Sequence, residues 1–355
     1  MSRPSAVCSI APPSQVTWGA SPRGSAAGSE CDGSVVLGFS PTSAAPAEPQ
    51  HTDPASLPRG EAPHVTWLGG AMLHTANGRD LGLPFPASRA PYLRLLGRAH
   101  RSWVVADLGP KQGWYSRVYR VHHGHYRTIL TIDNYYDRPT FQLARHGDQI
   151  ATWDYDRGGT TASIYSWEGR RLAERSTERF SQLLAFEGEE VVFANRKVAR
   201  WTAGSPPVPF ATSGLLVDEV HDVLFVIIAG KVVGPTSLAS PGAPAWTAEF
   251  APRAVSPDGR WVAGYALKSI YRKSRTLEIR SMADGSLQPT TGLHLPPNAA
   301  LAWEDADHLL AGVRGDRGNA LVRCSVSGSC ERATDWLGTQ AVTVPHQIEY
   351  FFDWP

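Results

Sequence analysis

A chain of 355 residues with 34 Lys plus Arg against 33 Asp plus Glu has a formal charge of +1, so no global field draws it to nucleic acid or to an acidic membrane surface. Its 33 Gly, 28 Pro and 12 Trp suit many short strands joined by turns better than a helical bundle. No run approaches the roughly 18 consecutive apolar residues of a membrane helix, and no apolar stretch of about 7 to 15 residues near the start reads as a secretory signal; a soluble chain with no integral membrane segment, cytoplasmic as written, is the expectation.

Residues 1–63 are dominated by Ser, Ala, Pro and Gly, as in ASPRGSAAGSE and SPTSAAPAEPQ. Such a segment buries too little to offset the entropy of ordering it. It reads as a disordered tail or linker, as a stretch upstream of the natural start, or as the remains of a truncated export segment. Residues 64–355 read as one repetitive domain. Its first signal is AMLHTANGRDLGLP (71–84), an outer-type hairpin turning at Asn77-Gly78, with no inner strand of its own.

Then a unit recurs: a turn followed by an apolar run with a small residue near its end. It appears as RSWVVAD, DQIATWDYD, EEVVFAN, HDVLFVIIAG, SPDGRWVAGY and DHLLAGV. Between Trp103, Ile150, Val191, Leu224, Trp261 and Leu309 the mean spacing is about 41 residues, within the roughly 40 to 45 of a four-stranded propeller blade. YSRVYRVHHGHYRTILTI, TASIYSWEGRRLAERST and NALVRCSVSGSCERAT supply second hairpins between these anchors. The near absence of polar residues in the anchor runs has a physical reading. A blade wedged between neighbours buries both faces of its inner strands, so the alternation of a one-sided sheet is lost. A further anchor falls near position 350, where QIEYFFDWP begins at Gln347; with the hairpin at 71–84 it would complete a shared blade. The expected fold is an all-β propeller, six full blades plus one composite blade closing the ring, with six blades as the alternative.

The stretch S-P-D-G-R-x-[apolar]-A, from Ser256 to Ala263, resembles the WD40-like repeat of TolB-type β-propellers. The other copies depart from it: RHGDQIA keeps Gly and Asp in altered order, FEGEEVV keeps the Gly, and LVDEVHDVLF and WEDADHLL lose both. The resemblance implies a propeller that binds proteins or other macromolecules through loops at one end of the ring. It carries no catalytic residue to this chain.

Among local features, RCSVSGSCER places Cys324 and Cys330 around a Ser-Gly turn. A three-residue turn with Gly in the left-handed position would set them opposite each other at about 4.5 Å between Cα atoms, within disulfide range. Two half-buried thiols are the alternative. A bridge would argue for an extracytoplasmic protein whose N-terminus is incomplete. Cys8 and Cys31 lie in the tail, and no C-x-x-C with a His pair suggests zinc. HHGH, with His122, His123 and His125, sits at a hairpin tip and reads as structural or incidental rather than as a metal site. WDYDRGG offers Asp154 and Asp156 but lacks the later oxygens of a calcium loop.

No G-x-S-x-G or phosphate loop is present, although a triad assembled from distant blades stays open. TIDNYYDRP, joining two blades, places Asp133, Tyr135, Tyr136 and Asp137 on a surface connector, and KQGWYSR offers Trp114 and Tyr115. Each is either a binding lip or a packed connector. The resulting expectation is a monomeric, non-enzymatic binding or scaffold propeller without cofactor or metal, recognising a protein or cell-envelope partner through loops on one ring face. The alternative is a propeller hydrolase or lyase with a polar site at the central channel, and carbohydrate binding through exposed Trp and Tyr is a third reading.

Overall fold

The computed structural model describes residues 52–109, 114–134, 139–155, 159–177, 182–187, 190–194, 197–229, 232–266, 275–289, 292–296, 299–340 and 342–345. Within them the chain is laid down as consecutive antiparallel meanders. β1 (Trp67–Gly69), β2 (Met72–His74) and β3 (Asp80–Gly82) come first. β4 (Leu93–Ala99), β5 (Ser102–Asp107), β6 (Trp114–His122) and β7 (His125–Asn134) form a four-stranded sheet. So do β8 (Thr140–Leu143), β9 (Gln149–Tyr155), β10 (Thr160–Ser166) and β11 (Arg171–Thr177). The next sheet is β12 (Gln182–Glu187), β13 (Glu190–Ala194), β14 (Val198–Thr202) and β15 (Val208–Ala211).

The three-stranded meander β16 (Leu216–Asp218), β17 (Val223–Ala229) and β18 (Val232–Ser237) is followed by β19 (Ala248–Val255), β20 (Trp261–Ala266), β21 (Arg275–Ser281) and β22 (His294–Leu295). The two groups share one seven-stranded sheet because β18 and β19 pair at Val232↔Glu249 and Val233↔Ala248. β23 (Leu301–Trp303), β24 (His308–Gly315), β25 (Gly318–Ser325) and β26 (Cys330–Arg332) make the last sheet. β27 (Val342–Thr343) then returns to pair with β1, Leu68 opposite Thr343.

The order in which these sheets touch defines the architecture. The first strand of each meander packs on the first strand of the next: β4 on β8, β8 on β12, β12 on β16, β16 on β19, and β19 on β23. β27 packs on both β25 and β4, so the series returns to its start. Meanders arrayed in a closed cycle about their first strands form a β-propeller, and closure removes the open edges that invite aggregation.

All six repeated anchors fall on the second strands of their meanders, β5, β9, β13, β17, β20 and β24. Their alternation is lost for the expected reason. Val104, Val105 and Ala106 on β5, and Leu309, Leu310 and Ala311 on β24, are fully buried in succession, because a neighbouring sheet covers each face.

Ring closure departs from expectation in detail. QIEYFFDWP lies outside the described residues, and the closing strand is the earlier Val342–Thr343. Thr343 is buried and its Oγ1 accepts the Leu95 amide at 3.1 Å, while Val344 is fully buried against Trp67, Leu310 and Leu321. The hairpin at 71–84, β2 and β3 around Gly78 (φ +76°), also has an inner neighbour of its own in β1. At three and two residues, β1 and β27 are too short for an apolar run to show.

Residues 52–62, placed in the tail by composition, run from beside β22, where Thr52 bridges Leu293, onto the last sheet. Pro58 accepts the Arg332 amide at 2.8 Å, Gly60 donates to the Arg332 carbonyl at 2.9 Å, and Arg59 pairs with Arg332 as a parallel bridge. The strap thereby covers the outer edge of β26. Arg323 fastens it. The guanidinium bonds both oxygens of Glu304, Glu331 Oε1 at 2.6 Å, and the carbonyls of Glu61 and Ala62 at 3.2 and 2.9 Å. Residues 1–51 lie outside the described residues.

The SPDG turn is built into the ring on both sides. Ser256 is fully buried; its Oγ donates to Asp258 Oδ1 at 2.7 Å and accepts the Trp261 amide at 3.0 Å. Gly259 takes φ +72°, and a Cβ there would strike the His221 ring, which itself reaches the Pro257 carbonyl from the preceding meander at 3.2 Å. Arg260 bonds Asp258 and extends to Asp307 Oδ1 of the following meander at 3.2 Å.

Desolvation pushes the Asp258 carboxyl up, but hydrogen bonds from Ser256 and Arg260 outweigh it and hold the pKa at about 2. Because the folded value lies below the unfolded one, this stabilisation is fully present above about pH 4 and fades as pH falls toward about 2. Urea midpoints of the wild type and Asp258→Asn are therefore expected to differ above about pH 4 and to converge toward about pH 2. Asp258 is an exposed turn residue, so the gap should be modest and should shrink with salt.

Candidate functional site

Antiparallel order sends the first and third turns of every meander to the same end of the ring. At that end the β2–β3 turn of one meander faces the β4–β5 and β6–β7 turns of the next, and a cleft of about 420 Å³ opens between them. Arg79 enters from the β2–β3 turn, Arg98 and Arg101 flank the β4–β5 turn with Trp103, and His122 and His123 come from the β6–β7 turn. Thr66, Thr75 and Asn77 complete the polar side.

The cleft is lined in part by Leu81, Trp103 and Val121, and the permanent charges on its lining are all cationic. No carboxylate lines it among the described residues, and none of these pairs with Arg79, Arg98 or Arg101. Asp80, next to Arg79, is engaged by His74 Nδ1 at 2.8 Å, and His74 stacks on Trp67 with ring centroids 3.8 Å apart. The Arg98 guanidinium lies 5.7 Å from the Trp103 ring across the β4–β5 pair, an arrangement that restrains the long side chain. His122 Nδ1 donates to the Arg101 carbonyl at 3.0 Å and so fixes one turn against the other.

Backbone conformation at the two turns is unusual. His123 and Gly124 form a two-residue hairpin turn with φ of 47° and 78°, closed by His122 opposite His125. His100 takes φ 50° in the β4–β5 turn. Gly or Asn normally occupies such positions. Side chains held there despite the strain cluster at functional sites more often than elsewhere.

The residues singled out from the sequence distribute differently. Tyr115 on β6 and Asp133 on β7 are brought directly opposite each other, both exposed, with Arg117 5.8 Å from the Tyr115 ring. They stand at the end of the sheet away from the cleft. Trp114 opposes Asn134 in the backbone register. Thr131 to Asn134 thus belong to β7 rather than to a connector, because pairing with β6 extends that far; Tyr135, Tyr136 and Asp137 lie outside the described residues.

Of the HHGH histidines, read from the sequence as structural or incidental, His122 and His123 line the cleft. Among the described residues no group of three or more His, Cys, Asp or Glu side chains could hold a metal. Asp154 lies on β9, and Asp156 is outside the described residues, as are Cys8 and Cys31. Cys324 and Cys330 are joined as a disulfide across the β25–β26 register, Cα to Cα 4.2 Å.

Sequence reasoning passed over Arg79, Arg98 and Arg101. They come from two meanders and share no motif; the available signal was arginines beside two turns, Arg79 at one and Arg98 with Arg101 at the other. Near the inner ends of β4, β8 and β27 a second crevice is lined largely by Leu95, Leu96, Phe141 and Val344, with the Arg94 guanidinium donating to the carbonyls of Pro91 and Leu93 at 3.2 and 2.9 Å. No helix among the described residues is long and apolar enough to cross a membrane.

No family model and no curated protein matches this chain. Solved structures do. A functionally unknown protein from Desulfotomaculum acetoxidans aligns with TM-score 0.50 and 10% identity over 78% of this chain and 95% of its own. A candidate 6-phosphogluconolactonase from Bacteroides uniformis aligns with TM-score 0.50 and 15% identity over 80% and 97%. TolB from Acinetobacter baumannii aligns at 0.44 and 10% over 79% and 65%. At such identities the first two likenesses speak to architecture alone. They agree with the strand order and the cyclic packing: this chain is an all-β propeller.

Proposed function

We propose that this chain is a monomeric, non-enzymatic binding propeller of the WD40-like, TolB type, recognising a protein or cell-envelope partner through the ring face on which the cleft opens. Counting the bridged seven-stranded sheet as two blades gives seven. The single observation that carries the reading is the set of three guanidiniums, from Arg79, Arg98 and Arg101, gathered beside an indole without a carboxylate among the described residues to neutralise them. Uncompensated charge on a rigid frame favours an oppositely charged partner and little else. The frame is rigid because neighbouring turns interlock, His221 on Pro257 and Arg260 on Asp307. The Cys324–Cys330 bridge supports an extracytoplasmic setting, where disulfides persist.

The test uses the full chain and an Arg98→Glu/Arg101→Glu variant as baits in extract and culture fraction of the source cell. A partner held by the wild type, released by moderate salt and lost by the variant is the expected result. Partners retained equally by both baits, or cross-linked only around Tyr115 and Asp133, would overturn it.

A further inference from the structure

We propose that the chemical group the cleft recognises is a phosphate monoester, borne by a small soluble molecule or by a lipid headgroup. This rests on the reading of the ring face as a binding surface and deepens it.

Charge comes first. Arg79, Arg98 and Arg101 are permanently charged, and the chain as a whole carries only +1, so the positive potential here is local and not a share of a basic surface. A carboxylate offers two oxygens and one charge, and would leave most of that potential unanswered. A phosphate monoester offers three terminal oxygens and about −1.5 to −2 charges near neutral pH, and guanidiniums meet such oxygens in paired hydrogen bonds.

Size is the second argument. A cleft of about 420 Å³ falls in the roughly 300 to 1,000 Å³ typical of small-ligand sites. A nucleic acid backbone would instead call for a stripe of cations along the surface.

Preorganisation is the third. Arg98 is restrained over Trp103, and Arg101 sits in a turn whose carbonyl is held by His122. Donors already restrained lose less freedom on binding. Trp103 and Asn77 then border the cleft where the rest of the ligand would lie, an aromatic edge for carbon and an amide for hydroxyl groups.

Isothermal titration of the full chain with glucose 6-phosphate, inorganic phosphate, gluconate, sulfate and glucose tests the proposal, alongside sedimentation with phosphatidylcholine vesicles with and without phosphatidic acid. Expected are saturable binding of glucose 6-phosphate or of phosphatidic acid vesicles, silence from glucose and gluconate, and at least about a 10-fold loss in Arg98→Gln/Arg101→Gln. Arg79→Gln should weaken binding independently, and unchanged melting of these exposed variants separates lost contact from lost fold. Vesicle binding with glucose 6-phosphate silent assigns a headgroup; the reverse assigns a soluble ester.

Silence from every phosphate probe, equal binding by the variants, or gluconate or sulfate binding as tightly as phosphate overturns the inference. A charge-sensitive protein partner with silent phosphate probes would sink this inference and leave the binding reading standing. Phosphate binding without any charge-sensitive partner would do the opposite.

Discussion

Replacing Glu304 by glutamine is expected to cost about 3 kcal/mol of unfolding free energy, the low end of the range for breaking a buried ion pair on one side, because Glu331 still pairs with Arg323 at 2.6 Å. The Arg323 and Glu304 side chains are 9% and 1% exposed, so water does not replace the charge lost at position 304. Hydrogen bonding to Glu304 also raises the Arg323 pKa above its ordinary value, and the guanidinium keeps its charge in the variant. The loss should spread beyond the pair. Glu304 Oε1 accepts the His64 amide at 2.6 Å, and Arg323 holds the carbonyls of Glu61 and Ala62, so a shift of either side chain loosens the strap over β26.

Urea denaturation measures the effect, and limited proteolysis near residue 60 reports the strap. A double Arg323→Met/Glu304→Leu variant should recover much of the stability, because burial of two apolar side chains replaces two desolvated charges. It should not restore the strap contacts. An E304Q chain that unfolds at the wild-type midpoint would mean that the pair is not buried as described.

Substituting Val344 by aspartate is expected to be comparably severe. Val344 is fully buried in the seam where β27 meets β1, beside Trp67, Leu310 and Leu321. A carboxylate there is taken out of water among apolar side chains and costs several kcal/mol, or takes up a proton at a similar cost. Ending the chain at Gln340 goes further. It strips β27 from β1 and leaves the Leu95 amide without the Thr343 hydroxyl.

The distinctive consequence is loss of closure, not only of stability. β1 and β4 would be left as exposed strands, so both variants should associate with rising protein concentration. Analytical ultracentrifugation alongside denaturation checks this. A monomeric truncated chain of undiminished cooperativity would be falsifying for ring closure through Val342–Thr343.

Much of the fold was legible in the residues themselves, for a reason that is visible strand by strand. The second strand of each meander is buried on both faces, so Val104 to Ala106 or Leu309 to Ala311 must be apolar without interruption, and such runs recur at the length of one blade. Turns that need a left-handed residue announced themselves similarly through Gly78 and Gly259. The opposition of Cys324 and Cys330 followed from counting residues around Gly328.

What the sequence alone determined, then, was local: which runs are doubly buried, where they turn, and how often they repeat. Only the tertiary structure decided which short strand closes the ring, which edge the residues at 52–62 cover, and which side chains share a cleft. Arg79 and Arg101 lie in different meanders and meet only because the sheets pack side by side in a cycle. Periodicity records burial, which every strand must satisfy for itself. A site made of turns belongs to the space between sheets, and no single stretch of chain carries its pattern.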